Sequence, residues 1–290
     1  MHITPLVPYA RLPRARSGAR QEILHSTVDA FGRAHWLLAE RRRNGGPYDA
    51  TVVTVDDGRF EETRLSAVTA QYPALDALPD GGFVVADCRR PRGDDDHVQV
   101  FDALGRTSWT FTVGDAIQHL LADESGDLWV GYFDEGVFGD PLSYAGVRRW
   151  SATGEPLWEL PASTPGGRMA DCYALNAHQG EAWVCYMEGF PLVRIRRDGT
   201  VRVWESPVRG TAATVVHDGR VAYFASYDHR DGLVLCTLSE TAAVPYLLST
   251  LVHSDGSPIG RQRRLARGSR LYVQAEPYTA WEMWDLAAAA

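Results

Sequence analysis

Apolar and polar residues alternate along this chain in short runs, and Asp, Gly, Thr and Asn sit between the runs. A period of two over runs of about four to eight residues predicts half-buried strands joined by tight turns. One unit recurs: a short apolar strand, a turn carrying Asp or Gly, then a second strand rich in aromatic and β-branched residues. Its copies read HSTVDAFGRAHWLLAE (25–40), ALDALPDGGFVVAD (74–87) and AIQHLLADESGDLWVGY (116–132). They continue as YALNAHQGEAWVCY (173–186), ATVVHDGRVAYFAS (213–226) and RLARGSRLYVQAE (264–276). Turn anchors fall at Gly32, Gly81, Gly126, Gly180 and Gly219, with Ser269 in the sixth copy, at intervals of 39 to 54 residues.

Two further strands around another tight turn follow most units, as in HVQVFDALGRTSWTFTV (97–113), GVRRWSATGEPLWEL (146–160) and LVRIRRDGTVRVWE (192–205). ATVVTVDDGRFEETRL (50–65) follows the same scheme. Asp-Gly and Thr-Gly suit hairpins that need positive φ. A four-stranded unit repeating every ~40–50 residues is the spacing of a propeller blade. The expected fold is therefore all-β: a six-bladed β-propeller of four-stranded antiparallel blades, one domain over 1–290, with no helix of three or more turns. The last unit holds only TAWEMWDL (279–286) after its second strand. The N-terminal segment 2–12 is expected to supply the missing outer strand and close the ring, which leaves only short sheet edges.

Composition narrows the function classes. A net charge of −8 argues against nucleic-acid and membrane-surface partners, which call for a basic face. All 29 basic residues are arginine, which removes lysine Schiff-base and phosphate-loop chemistry. Met1 to Arg20 has no apolar core of a signal peptide, and no run approaches the ~18 apolar residues of a membrane span, so the expected location is cytoplasmic. Cys88, Cys172, Cys185 and Cys236 are far apart and lie in or beside apolar strand patterns, as buried free thiols do.

Two stretches resemble known repeats. Ile117, Leu120, Asp123, Gly126, Leu128, Trp129, Val130 and Gly131 fit the two-component regulator propeller repeat, with Tyr132 where that repeat usually has Thr. Trp183 and the run VRIRRDGTVRVWESP within 183–206 resemble a blade of the streptogramin B lyase group, which shares the NHL-type propeller fold. Each resemblance covers one blade and implies fold. The first family implies a sensor module and the second a metal-assisted elimination. Neither places its functional residues on matching positions of this chain.

In a propeller, the loops between the second and third strands of each blade (B–C loops) surround one mouth of the central channel, where ligands bind. Counting from the anchors brings Glu40, Arg89, Asp134, Glu188 and Tyr227 to that rim, with Asp87, Tyr132, Tyr186, Asp228 and Glu276 beside them. Carboxylates interleaved with aromatic faces suit a cation or a polar, ring-shaped ligand. Solvated loops of an acidic protein have the same composition. Nearer the channel lie His25, His119 and Tyr173, with Asp115 and Asp171 placed to orient the histidines. A carboxylate-held histidine serves as a general base or metal ligand, and a buried histidine bonded to backbone has the same look in sequence.

The expected function is binding of a small polar ligand or a protein partner at this rim, through Asp87, Tyr132, Asp134, Tyr173, Tyr186, Glu188, Tyr227, Asp228 and Glu276. The alternative is a metal-assisted hydrolase, lactonase or lyase at the same face. It would use His25 and His119 as catalytic groups, and His119, Asp134 and Glu188 as ligands of Ca, Mg or Zn. FDEGVFGDPLSY (133–144) is the longest B–C loop and the lid candidate. Arg41, Arg42 and Arg43 form a basic run expected in a solvated loop.

Overall fold

Two short strands open the chain, β1 (His2–Pro5) and β2 (Val7–Arg11). Antiparallel hairpins follow them. The computed structural model describes residues 2–14, 21–40, 46–89, 96–165 and 169–289; Arg41, Arg42 and Arg43 lie outside the described residues. The chain divides into two compact units, one of residues 10–159 and one of residues 1–9 with 160–290.

The 10–159 unit holds three four-stranded antiparallel sheets. The first is β3 (Gln21–Val28), β4 (Ala34–Glu40), β5 (Tyr48–Asp56) and β6 (Arg59–Val68). The second is β7 (Pro73–Ala77), β8 (Phe83–Asp87), β9 (Val98–Phe101) and β10 (Thr107–Phe111). The third is β11 (Ile117–Ala122), β12 (Leu128–Tyr132), β13 (Val147–Trp150) and β14 (Pro156–Glu159), with a six-residue helix α1 (Asp134–Gly139) between β12 and β13. Inward-facing apolar residues of neighbouring sheets close on each other. Leu37, Val52 and Leu65 of the first meet Leu75, Phe83 and Phe101 of the second. Val84, Val98 and Phe111 meet Leu120, Val130 and Trp150 in the same way.

In the other unit, β15 (Cys172–His178), β16 (Glu181–Tyr186), β17 (Leu192–Ile195) and β18 (Val201–Trp204) form one antiparallel sheet. β19 (Ala213–His217), β20 (Arg220–Phe224), β21 (Gly232–Leu238) and β22 (Ala243–Val252) form the next, and β1 runs parallel to β22 at its edge. β23 (Gln262–Arg267), β24 (Arg270–Ala275) and β25 (Ala280–Asp285) have β2 as their fourth strand. Leu6, between β1 and β2, is buried with Leu251, Ile259 and Trp284, and its amide donates to the Val252 carbonyl. Asn176 ties the three inner strands together. Its Nδ2 donates to the carbonyls of Thr214 and Gly268, and its Oδ1 accepts from the Gly268 amide at 2.7 Å. A lone parallel pair, Asn176 with Ala266, joins β15 to β23.

Candidate functional site

Three aromatic rings meet where β15 begins and where the β16–β17 and β20–β21 loops lie. Tyr173 stacks on Phe190 at 5.9 Å between centroids and 18° between planes, and Tyr227 sets its edge to both. The Tyr227 hydroxyl donates to the Tyr173 oxygen at 2.6 Å, and the Arg209 guanidinium lies over Phe190. Tyr227 is held from below as well. Its amide donates to the Arg209 carbonyl, and its ring lies so close to Gly210 that a Cβ there would sit 2.4 Å from it. Yet 56% of Tyr227 remains exposed, so a fixed ring faces solvent.

The loop beneath is strained. Glu188, Gly189 and Phe190 have consecutive φ of 74°, 77° and 49°. Each non-glycine residue in that region costs on the order of 1 kcal/mol, and such costs collect where a side chain must be aimed. Here the strain presents Phe190 to Tyr173 and leaves the Glu188 carboxylate exposed beside the platform. Asp228 is exposed next to Tyr227. At the corresponding end of the β23–β25 sheet, Tyr278 donates to Glu276 at 3.3 Å, and Arg263 covers the Tyr278 ring at 4.3 Å. Burial pulls the Arg263 guanidinium below its ordinary pKa.

Several residues expected at the rim do other work. Tyr132 is fully buried; its hydroxyl donates to the Val113 carbonyl and accepts from the Trp150 indole. Tyr186 is fully buried too, and burial pushes its hydroxyl up to about 12. Asp87 is 3% exposed and accepts from the amides of Gln71, Tyr72 and Arg89, so it fastens the chain entering β7. All three side chains are engaged in packing and anchoring. His25 accepts from the Leu75 amide through Nδ1 at 3.3 Å. His119 is half-buried in β11.

Asp134 is exposed at the start of α1 and bonds the following amide. The lid candidate therefore contains a helical turn, held to the neighbouring sheet by the Arg89–Glu135 ion pair and by Arg89 over Phe133. That pair holds the Glu135 carboxyl below its usual range. Asp115 bonds the Ala116 amide. Among the described residues, no group of three or more His, Cys, Asp or Glu is arranged to hold a metal ion.

No family model matches the chain, and no curated protein sequence does. Solved structures do. Virginiamycin B lyase from Staphylococcus aureus is 12% identical, with 89% of this chain and 78% of that one covered at a TM-score of 0.51. A streptogramin B lyase structure is 13% identical over 90% and 78%, at 0.51. Kluyvelomyces marxianus Hsv2 is 7% identical over 92% and 77%, at 0.56. The fold is a β-propeller. At these identities the likeness concerns architecture alone.

In propeller terms, Tyr173, Phe190 and Tyr227 belong to the B–C end of two consecutive blades. The sequence pattern pointed to Tyr173 and Tyr227 for binding, and Phe190 joins them through the strained turn. That pattern missed His253 and Glu282. His253 Nδ1 pairs with Glu282, whose other oxygen accepts from the Ser254 hydroxyl at 2.6 Å and the Ser254 amide at 3.0 Å. They lie 29 residues apart on different blades, and no sequence spacing signals them.

Proposed function

We propose that the chain is a six-bladed propeller, closed by Val7–Arg11, that binds a small polar, ring-bearing ligand at its B–C end. The Tyr173–Phe190–Tyr227 platform carries this reading. Its rings are fixed by stacking, a hydroxyl bond and the Gly210 contact, while Tyr227 stays open to solvent. A preformed aromatic surface binds with little ordering cost, and adjacent carboxylates select for hydroxyl or cationic groups on the ligand. Glu188 and Asp228 stand in those positions. The proposed blade count rests on three four-stranded sheets in one unit and on reading the five- and eight-stranded sheets of the other as three blades, with β1 as an added edge strand and β2 completing the last blade.

Thermal-shift measurements with disaccharides, aromatic amines and choline test the site. A bound compound raises the melting temperature by mass action, by about 2.7 kcal/mol of stability at a hundredfold excess over Kd. Tyr227→Ala is expected to raise Kd about tenfold or more. Glu188→Gln separates cationic ligands, which it weakens, from neutral rings, which it spares. Equal stabilisation of the wild type and Tyr227→Ala by every active compound would remove the platform as the site.

A further inference from the structure

The opposite end of the same blades carries a cavity. His178 ends β15 five residues after Tyr173, a separation of about 17 Å along the strand. There the sheets of β15–β18 and β19–β22 part to leave about 820 Å³, a volume suited to a small molecule. Strand register explains its walls. Trp183, Arg194 and Arg202 stand directly opposite one another across β16, β17 and β18, hence on one face. Glu181 and Trp204 lie two residues along and share that face. The Arg194 guanidinium lies 5.4 Å from the Trp183 ring centroid, Trp183 stacks on Trp204 at 5.5 Å, and Arg202 lies 4.5 Å from Trp204. His217 and Arg220 line the cleft from β19 and β20. Gly268 closes on His178 from the β23–β24 turn, at a place where a Cβ would sit 2.6 Å from the imidazole.

Charge distinguishes the arginines. Arg194 makes a two-armed pair with Glu181 at 2.8 and 2.7 Å, which neutralises both. Arg202 donates to the carbonyl of Glu240, and Arg220 donates to the carbonyls of Ala289 and Leu286. Carbonyls orient a guanidinium without cancelling its charge. Two aimed cations thus border the cleft, with Asp218 the one carboxylate of its lining besides the paired Glu181, within a chain of net charge −8. Guanidinium groups held this way match phosphate and carboxylate oxygens.

We propose that this cleft binds a small, multiply charged anion bearing phosphate or carboxylate groups, with Arg202 and Arg220 as the charged contacts and His217 as a ring N–H donor. The site is distinct from the B–C platform and does not depend on it. Calorimetric titration of the full chain with pyrophosphate and with citrate, at ionic strength matched by KCl, tests the assignment and separates the two anion chemistries. Saturable binding of at least one is expected, weakened about tenfold or more by Arg202→Gln. Arg106→Gln removes an exposed arginine, paired with Asp102 in the other unit, and is expected to leave binding unchanged. Absence of binding by both anions overturns the proposal. So does binding that Arg202→Gln leaves intact, or that Arg106→Gln weakens equally.

Discussion

Asp29 shows how much one buried carboxylate does in this fold. Its Oδ1 accepts from the amides of Phe31 and Arg33, and its Oδ2 from His35 Nε2 and Arg33 Nε, so one side chain fixes the β3–β4 turn. His35 passes the connection on to Thr54 in β5 at 2.9 Å. Burial by itself would raise the Asp29 pKa. The His35 bond and charge, together with Arg33, outweigh it and hold the carboxyl down to about 2. A pKa below the unfolded value contributes stability above about pH 4 that is lost as pH falls through about 2; here it is on the order of 2 kcal/mol. Asp29→Asn is therefore expected to lower unfolding free energy at pH 7 by about 2–4 kcal/mol, measured in urea. It should also flatten the acid limb of stability between pH 4 and 2, and an acid limb identical to wild type would contradict this account. Asp123 plays the same part in the third sheet, with the Trp129 indole in place of imidazole.

The cysteines bear a second residue-scale prediction. Burial pushes Cys185 and Cys236 up to about 12 and Cys172 well above its ordinary value. Thiols so protonated are poor nucleophiles. Iodoacetamide at pH 8 is expected to label these three only after unfolding, as read by mass spectrometry. The same scale shows where sequence reasoning stopped. Counting from a turn glycine locates the end of a strand but not the face a side chain takes, and one residue of parity separates rim from core. Tyr227 and Glu188 lie past their strands and stay exposed, whereas Tyr132 and Tyr186 are the last paired residues of theirs and turn inward.

At the scale of elements, the repeated turns were legible because their chemistry is local. Gly32, Gly81, Gly126, Gly180 and Gly219 all have positive φ. In the sixth copy Gly268 takes that conformation, at φ 55°, next to the anchor Ser269. What surrounds a turn is not local, and so is not legible. Gly58 and Gly105 have nearly equal φ of 76° and 75°. A Cβ on Gly58 would meet open space, whereas one on Gly105 would sit 1.9 Å from the Arg64 carbonyl oxygen of the neighbouring sheet. Gly58→Ala is expected to cost about 1 kcal/mol, from backbone conformation alone. Gly105→Ala must also move one sheet against the next and should cost at least ~2 kcal/mol more. Equal losses in urea unfolding would show that the contact is soft. The N-terminal segment makes the same point. It reads as one run, but Leu6 divides it into a strand for β22 and a strand for β25. Edge pairing uses backbone groups, which every residue carries, so side-chain pattern does not reveal which edge is taken.

For the whole molecule, the decisive question is whether the opening strands are a local patch or the latch of a ring. Removing residues 2–12 uncovers the edges of β22 and β25 and takes Leu6 out of its cluster, so protection against hydrogen exchange must fall in both strands in either case. Leu6→Ala alone is expected to cost about 2–4 kcal/mol through the cavity it leaves. The two readings part in β3–β6. These strands lie in the other compact unit, and a patch confined to β22 and β25 leaves their exchange unchanged. In a closed propeller every blade is braced on both sides, and opening the ring removes one brace from the blade that follows the latch in sequence. If the ring is closed as proposed, the deletion raises exchange in β3 and β4 as well as in β22 and β25, followed peptide by peptide by mass spectrometry. Unchanged protection in β3–β6, with loss confined to β22 and β25, would show that the strands patch an edge and that the ring is not closed through them.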